Sequence, residues 1–165
     1  MLKNKIFLGF LLLCGLFAAC EKRKEYDPET QLQIDIAKIK KYVADSNIRN
    51  VVNDPSGMSY VILAQGTDPK PILSDSIYVY YKAKVVGARS TFQEVPITKP
   101  ISLKLDTLIK GWRIGLPMIG KGGQIRMIIP STLAYMDFQD GTSIPPFSVL
   151  DYTVTLVDIN YKKPK

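Results

Sequence analysis

Apolar positions in the segment QLQIDIAKIKKYVADSN recur as Leu32, Ile36, Ile39 and Val43, at spacings of four, three and four. That is the stripe of one amphipathic helix. Asp27-Pro28 supplies an N-cap and a first helical turn, and Ser46-Asn47 a stop. A helix packed on its own domain, or marking its start, explains the stripe; weak dimerisation or partner binding through residues 27–47 is the alternative. After the turn cluster Asn53-Asp54-Pro55-Ser56-Gly57 the texture changes to short β-rich runs. These are MSYVILAQG, SIYVYYKAKVV, PISLKL, GQIRMIIP and VLDYTVTLVDI, parted by Gly, Pro, Asp and Ser. One helical interruption falls at 108–120, where Leu108, Trp112 and Leu116 recur every four residues and Gly111, Gly115 and Pro117 keep the helix short. The pattern predicts an α+β chain of antiparallel strands plus one short helix.

The N-terminus reads differently. Lys3 and Lys5 precede an apolar core from Ile6 to Phe17, which ends in Phe17-Ala18-Ala19-Cys20. This form resembles a bacterial lipoprotein signal, with Cys20 lipidated and first in the mature chain. Cys14 follows the bulky Leu12-Leu13, a poor cleavage site, and the apolar run is short for a span of about 20 residues. The expected organisation is a signal at 1–19, a lipidated Cys20 with polar tether and helix at 20–56, and a domain at 57–162. The expected location is the bacterial cell envelope, at a membrane, facing periplasm or cell surface.

Composition narrows the chemistry. The 165 residues carry a formal charge of +7, yet no block of five basic residues occurs, and the densest run is Lys22-Arg23-Lys24. The charge fits solubility and a membrane surface better than nucleic acid. With no histidine and only Cys14 and Cys20, His-based triads, His-ligated zinc and Cys-rich clusters are excluded. GKGG at 120–123 lacks the spacing of a phosphate loop. What remains conspicuous is aromatic: Tyr80, Tyr81, Phe92, Trp112, Tyr135, Phe138, Phe147 and Tyr152.

The order of motifs is more specific than any one of them. Leu108-Ile109-Lys110-Gly111-Trp112 is followed by Gly115 and Gly120-Lys121-Gly122-Gly123. Arg126, Ile129-Pro130, Leu133-Ala134-Tyr135, Ile144-Pro145-Pro146 and a Leu-Asp-Tyr-Thr-Val strand come next. The series resembles the FKBP-type peptidyl-prolyl isomerases over about residues 57–160, most closely from 108 to 157. The resemblance implies an antiparallel β-sheet wrapped around a short α-helix, with a substrate proline held in an aromatic pocket and no metal or cofactor. The partners it implies are proline-containing segments, here of exported proteins.

The same resemblance assigns residues. Trp112 is the pocket floor; Tyr81, Phe92, Ile101, Leu108, Ile109, Ile144 and Tyr152 line it. The Ile109 backbone N–H and the Tyr135 hydroxyl are offered to the substrate carbonyls. Gln93 stands where the family has a catalytic-site aspartate, with Glu94 adjacent, and Met136 stands where it has glycine. These departures imply reduced turnover, or a non-catalytic chaperone or binding module, with Met136 re-aiming Tyr135. Pro145 and Pro146 are expected to stiffen Ile144 as a lid over the pocket.

Overall fold

The computed structural model describes residues 26–137 and 144–160. The segment expected to be a signal, with Cys14 and Cys20, and Phe138 lie outside the described residues. Helix α1 spans Pro28–Asp45. Asp27 caps it, accepting from the backbone N–H groups of Glu29 at 3.3 Å and Thr30 at 3.1 Å, with Pro28 in the first turn. Its apolar stripe is used within the chain. Ile39 is fully buried with Val86, Ile128 and Val149, and Val43 packs on that cluster. Leu32 and Ile36 lie so close over Gly57 that a Cβ there would meet Leu32 Cδ1 at 2.7 Å.

The strands are β1 (Val52–Asn53), β2 (Ser59–Ala64), β3 (Ser76–Val85), β4 (Gln93–Val95), β5 (Ile101–Lys104), β6 (Gln124–Ile129) and β7 (Leu150–Ile159). All neighbouring pairs are antiparallel, in the order β1-β2-β6-β7-β3-β4, with β5 also pairing β3. Each β-rich run of the sequence contributes one strand; β1 and β4, of two and three residues, are too short to show a period. The pleat places Ile77, Val79, Tyr81 and Ala83 on the buried face of β3. Strand β7 sends Leu150, Tyr152, Val154 and Leu156 into the core that also holds Trp112 of helix α2 (Lys110–Gly115), while Asp151 on its other face is covered by Tyr42 of α1.

The segment expected to be helical at 108–120 divides into α2 and a 3₁₀ turn at Leu116–Met118. The glycines explain how so short a helix docks. A Cβ on Gly111 would lie 2.6 Å from Ile129 Cγ2, and one on Gly115 would overlap Met127 Sδ. Their absence lets α2 lie flat on β6 and carry Trp112 into the core, where it is 3% exposed.

A polar clamp ties α1 to the sheet. Arg126 on β6 donates Nε to Asp151 Oδ1 at 3.0 Å and Nη2 to Oδ2 at 2.7 Å, and the Tyr42 hydroxyl of α1 donates to the same carboxylate at 2.7 Å. The carboxylate holds the Arg126 guanidinium's pKa above its ordinary value, against the cost of burial. Lys84 completes the group, 3.8 Å from Asp151 and over the Tyr42 ring.

Candidate functional site

Three elements bring their aromatic side chains to one place. Tyr81 comes from the inner face of β3, Tyr152 from β7 and Trp112 from α2. The Tyr81 and Trp112 rings meet at 5.1 Å and 87°, and Trp112 and Tyr152 at 5.4 Å and 88°. Tyr81 and Tyr152 are 6.0 Å apart and tilted by 51°. Phe92, just before β4, meets Tyr152 edge-on at 6.1 Å. Edge-to-face contacts set the positive rim of one ring against the negative face of another, which fixes angles as well as distances.

Around this group lie the half-buried residues that the sequence resemblance singled out. Ile101, Leu108, Ile109, Tyr135 and Ile144 all pack against the cluster that contains Tyr81, Trp112 and Tyr152. Ile101 is opposite Val79 in the β3–β5 ladder, which puts it on the inner face. Ile109 is the N-cap of α2; its carbonyl accepts from Trp112 N–H at 3.0 Å, and its own N–H makes no hydrogen bond among the described residues. Tyr135 follows the 3₁₀ turn Ser131–Leu133 and packs against the cluster, close enough to Tyr152 to act on its phenol.

Burial dominates the electrostatics here. Desolvation first, and the neighbouring Tyr135 hydroxyl second, push the Tyr152 phenol far above its ordinary range. Tyr81 is raised in the same direction, mainly by burial. Both phenols therefore stay protonated at physiological pH.

The two departures resolve into geometry. Gln93 pairs with Ala83 across the β3–β4 ladder, so it shares the inner face, at an exposed rim. Glu94 pairs with Lys82 and forms an ion pair with it at 3.0 Å. Because neighbours in a strand point to opposite faces, Glu94 is turned to the outer side and supplies no carboxylate to the pocket rim. Met136 takes φ 53°, the left-handed conformation that glycine adopts freely. Its N–H donates to Ser131 O at 2.9 Å and its carbonyl accepts from Phe147 N–H at 2.7 Å.

Sequence reasoning missed two contacts. Buried Asp35 of α1 accepts from both Ser131 N–H and Ser131 Oγ, at 2.7 and 2.6 Å. Phe147 stacks on Tyr26 at 5.5 Å and 24°. An aspartate on the apolar face of a predicted helix, one residue before Ile36, was the available signal for the first. Outside the aromatic group, a pocket of about 330 Å³ on the outer face is lined by Lys84, Arg89, Arg126 and Asp151. Lys84 and Arg126 share the single carboxylate of Asp151 there.

Comparison with known proteins gives a consistent result. The family model described as FKBP-type peptidyl-prolyl cis-trans isomerase matches residues 68–157. A probable FKBP-type peptidyl-prolyl cis-trans isomerase of Haemophilus influenzae is 33% identical over 117 residues, 71% of this chain and 48% of the relative. The FKBP-type peptidyl-prolyl cis-trans isomerase FkpA of Escherichia coli K12 is 33% identical over 111 residues, 67% of this chain and 41% of the relative. The chain thus aligns with less than half the length of these two curated relatives. The crystal structure of FkpA from Escherichia coli superposes with a TM-score of 0.66 at 29% identity, covering 79% of this chain and 63% of that one. With the family model matching more than half its length, and the same antiparallel sheet around a short helix, the chain belongs to the FKBP-type peptidyl-prolyl cis-trans isomerase family.

Proposed function

We propose that this chain is a peptidyl-prolyl cis-trans isomerase for proline-containing segments of exported proteins, held at a bacterial envelope membrane by lipid on Cys20. The observation that carries the catalytic reading is the perpendicular aromatic group of Tyr81, Trp112 and Tyr152, walled by Leu108, Ile109 and Ile144. A proline ring on the Trp112 indole would be gripped by apolar surface and shielded from water.

Rotation about an X–Pro bond is slow because amide resonance must be broken, with a barrier of about 18–20 kcal/mol. At the twisted transition state the C–N double-bond character is lost and the carbonyl changes direction. A dry pocket that holds proline, with donors placed for the twisted geometry, favours that state over the planar one. Each ~1.36 kcal/mol of such preference is worth about tenfold in rate. Here the donors are the Ile109 N–H at the start of α2 and the Tyr135 hydroxyl. No nucleophile, metal or cofactor takes part in this scheme.

A protease-free cis/trans assay on a proline peptide tests the activity. An accelerated exchange that falls when Trp112 is replaced by Ala supports it. A rate equal to background, with the peptide still quenching Trp112 fluorescence, favours the second reading, a proline-binding chaperone module without efficient turnover. The outward-turned Glu94 and exposed Gln93 favour that alternative, since neither sets a carboxylate on the inner face of β4. Anchoring is tested by Cys20→Ala, which should move the protein from the membrane to the soluble fraction; continued retention argues against lipidation.

A further inference from the structure

Helix α1 does more than cover the sheet. Asp35 is only 1% exposed, and its carboxylate holds Ser131 N–H at 2.7 Å and Ser131 Oγ at 2.6 Å. Gln31 Nε2 donates to its other oxygen at 2.9 Å. Three donors on one carboxylate offset the cost of burying it and place it firmly. Ser131 opens the turn that delivers Ala134 and Tyr135 to the pocket.

The hydrogen bonds continue from there. The Ser131 carbonyl accepts from Met136 N–H at 2.9 Å, and the Met136 carbonyl from Phe147 N–H at 2.7 Å. Beyond the Pro145-Pro146 pair, Ser148 Oγ donates to the Pro145 carbonyl at 2.6 Å, and the Phe147 ring stacks on Tyr26, next to the α1 cap. Helix α1 therefore holds the Tyr135-bearing loop where it leaves β6, and Tyr26, just before the helix cap, touches it where it returns to β7. It does so from outside the span matched by the family model, which begins at residue 68.

We propose that Asp35 is a positioning residue for Tyr135, which makes α1 a working part of the isomerase site. The inference rests on the reading of Tyr135 as a donor to the substrate carbonyl. A donor aimed at a transition state must be held to about 0.5 Å, and a displacement of about 1 Å can cost on the order of a hundredfold. Leu133 and Ala134 also rest on the core before Tyr135, but those apolar contacts are non-directional, and Asp35 supplies the buried hydrogen bonds that fix where the turn begins.

The test compares the full-length protein with its D35A, D35N, S131A, Y135F and D35A/Y135F variants. Isomerase kcat and KM are measured below the melting temperature of each, and hydrogen exchange is followed at individual amides. D35A should lower kcat about tenfold with KM within about twofold, D35N should fall between, and D35A should add little to Y135F. The amides of Ser131, Met136 and Phe147 should exchange faster in D35A while those of β3 and β7 keep their protection. If D35A does not fold, D35N and S131A carry the same comparison. An Asp35 variant with the parent kcat, or a loss that multiplies with that of Y135F, overturns the role. Y135F at the parent rate removes the Tyr135 reading and this role with it. A slow Y135F beside an unimpaired Asp35 variant removes this role alone.

Discussion

The indole of Trp112 meets the ring of Tyr152 edge-on, with centroids 5.4 Å apart and planes at 88°. One comes from a six-residue helix and the other from the central strand β7, so their contact joins the helix to the sheet within the core. The Tyr152 hydroxyl is buried beside Tyr135.

The burial has a consequence at high pH. In the unfolded chain the phenols of Tyr152 and Tyr81 ionise near pH 10 (about the ordinary value), whereas the folded chain raises both. The stability they contribute is fully present below about pH 10 and is lost as the pH climbs above it, because the unfolded state releases its protons first. Each contributes a slope of up to about 1.4 kcal/mol per pH unit. Tyr152→Phe should flatten the fall of melting temperature between about pH 10 and 12. An unchanged alkaline limb would show that Tyr152 is not the group responsible.

The pocket rim gives a gain-of-function prediction. Gln93 is on the inner face opposite Ala83, so Gln93→Asp would set a carboxylate on the pocket side of the sheet edge. The expected result is a rise in kcat/KM of about threefold, from better polar bracing of the site. Glu94→Gln, which acts only on the outer-face pair with Lys82, should leave kcat/KM unchanged. Equal effects from both changes would mean that the facing of β4 does not matter to turnover.

Met136 holds a left-handed backbone at φ 53° with its side chain exposed. Such a conformation costs a non-glycine residue about 1–2 kcal/mol, and glycine in its place forfeits about 0.4–1 kcal/mol through the freer unfolded chain. Met136→Gly should therefore stabilise by about 0.5–1 kcal/mol, or roughly 2 °C in melting temperature. A lower melting temperature would point to packing by Met136 that outweighs its backbone.

The Arg126–Asp151 clamp predicts a large loss. Asp151 is 4% exposed and receives both Arg126 and Tyr42, so Asp151→Ala leaves a guanidinium and a hydroxyl without their acceptor. Denaturant titration should show a loss of about 3–5 kcal/mol. Lys41→Ala removes an ion pair to Asp45 that is open to water on both sides, and the midpoint should not move measurably. A small loss for Asp151→Ala would mean that the sheet and α1 stay docked by apolar contacts alone.

Much of the fold was legible because local patterns are repeated often enough to read. The β-rich run SIYVYYKAKVV marked β3, and the four-residue recurrence of Leu108, Trp112 and Leu116 marked the helical interruption. Strand β4 was not legible, since three residues carry no period and its place is set by pairing with β3. The adjacent Gln93 and Glu94 could not be sorted into inner and outer from order alone; the register with Ala83 and Lys82 separates them.

Residue types and their order determined the inventory: a set of aromatics with no histidine in the chain, a short glycine-bearing helix, and a Pro145-Pro146 pair before the last strand. Those properties are local, because periodicity, propensity and motif spacing act over a few residues. Tertiary structure decided which groups share a face and which distant ones meet. Asp35 reaches Ser131 across 96 positions, and Tyr42 reaches Asp151 across 109. Neither pairing has a local signature, because burial selects a partner by position in space, and only the docking of α1 on the sheet brings these groups within hydrogen-bonding distance.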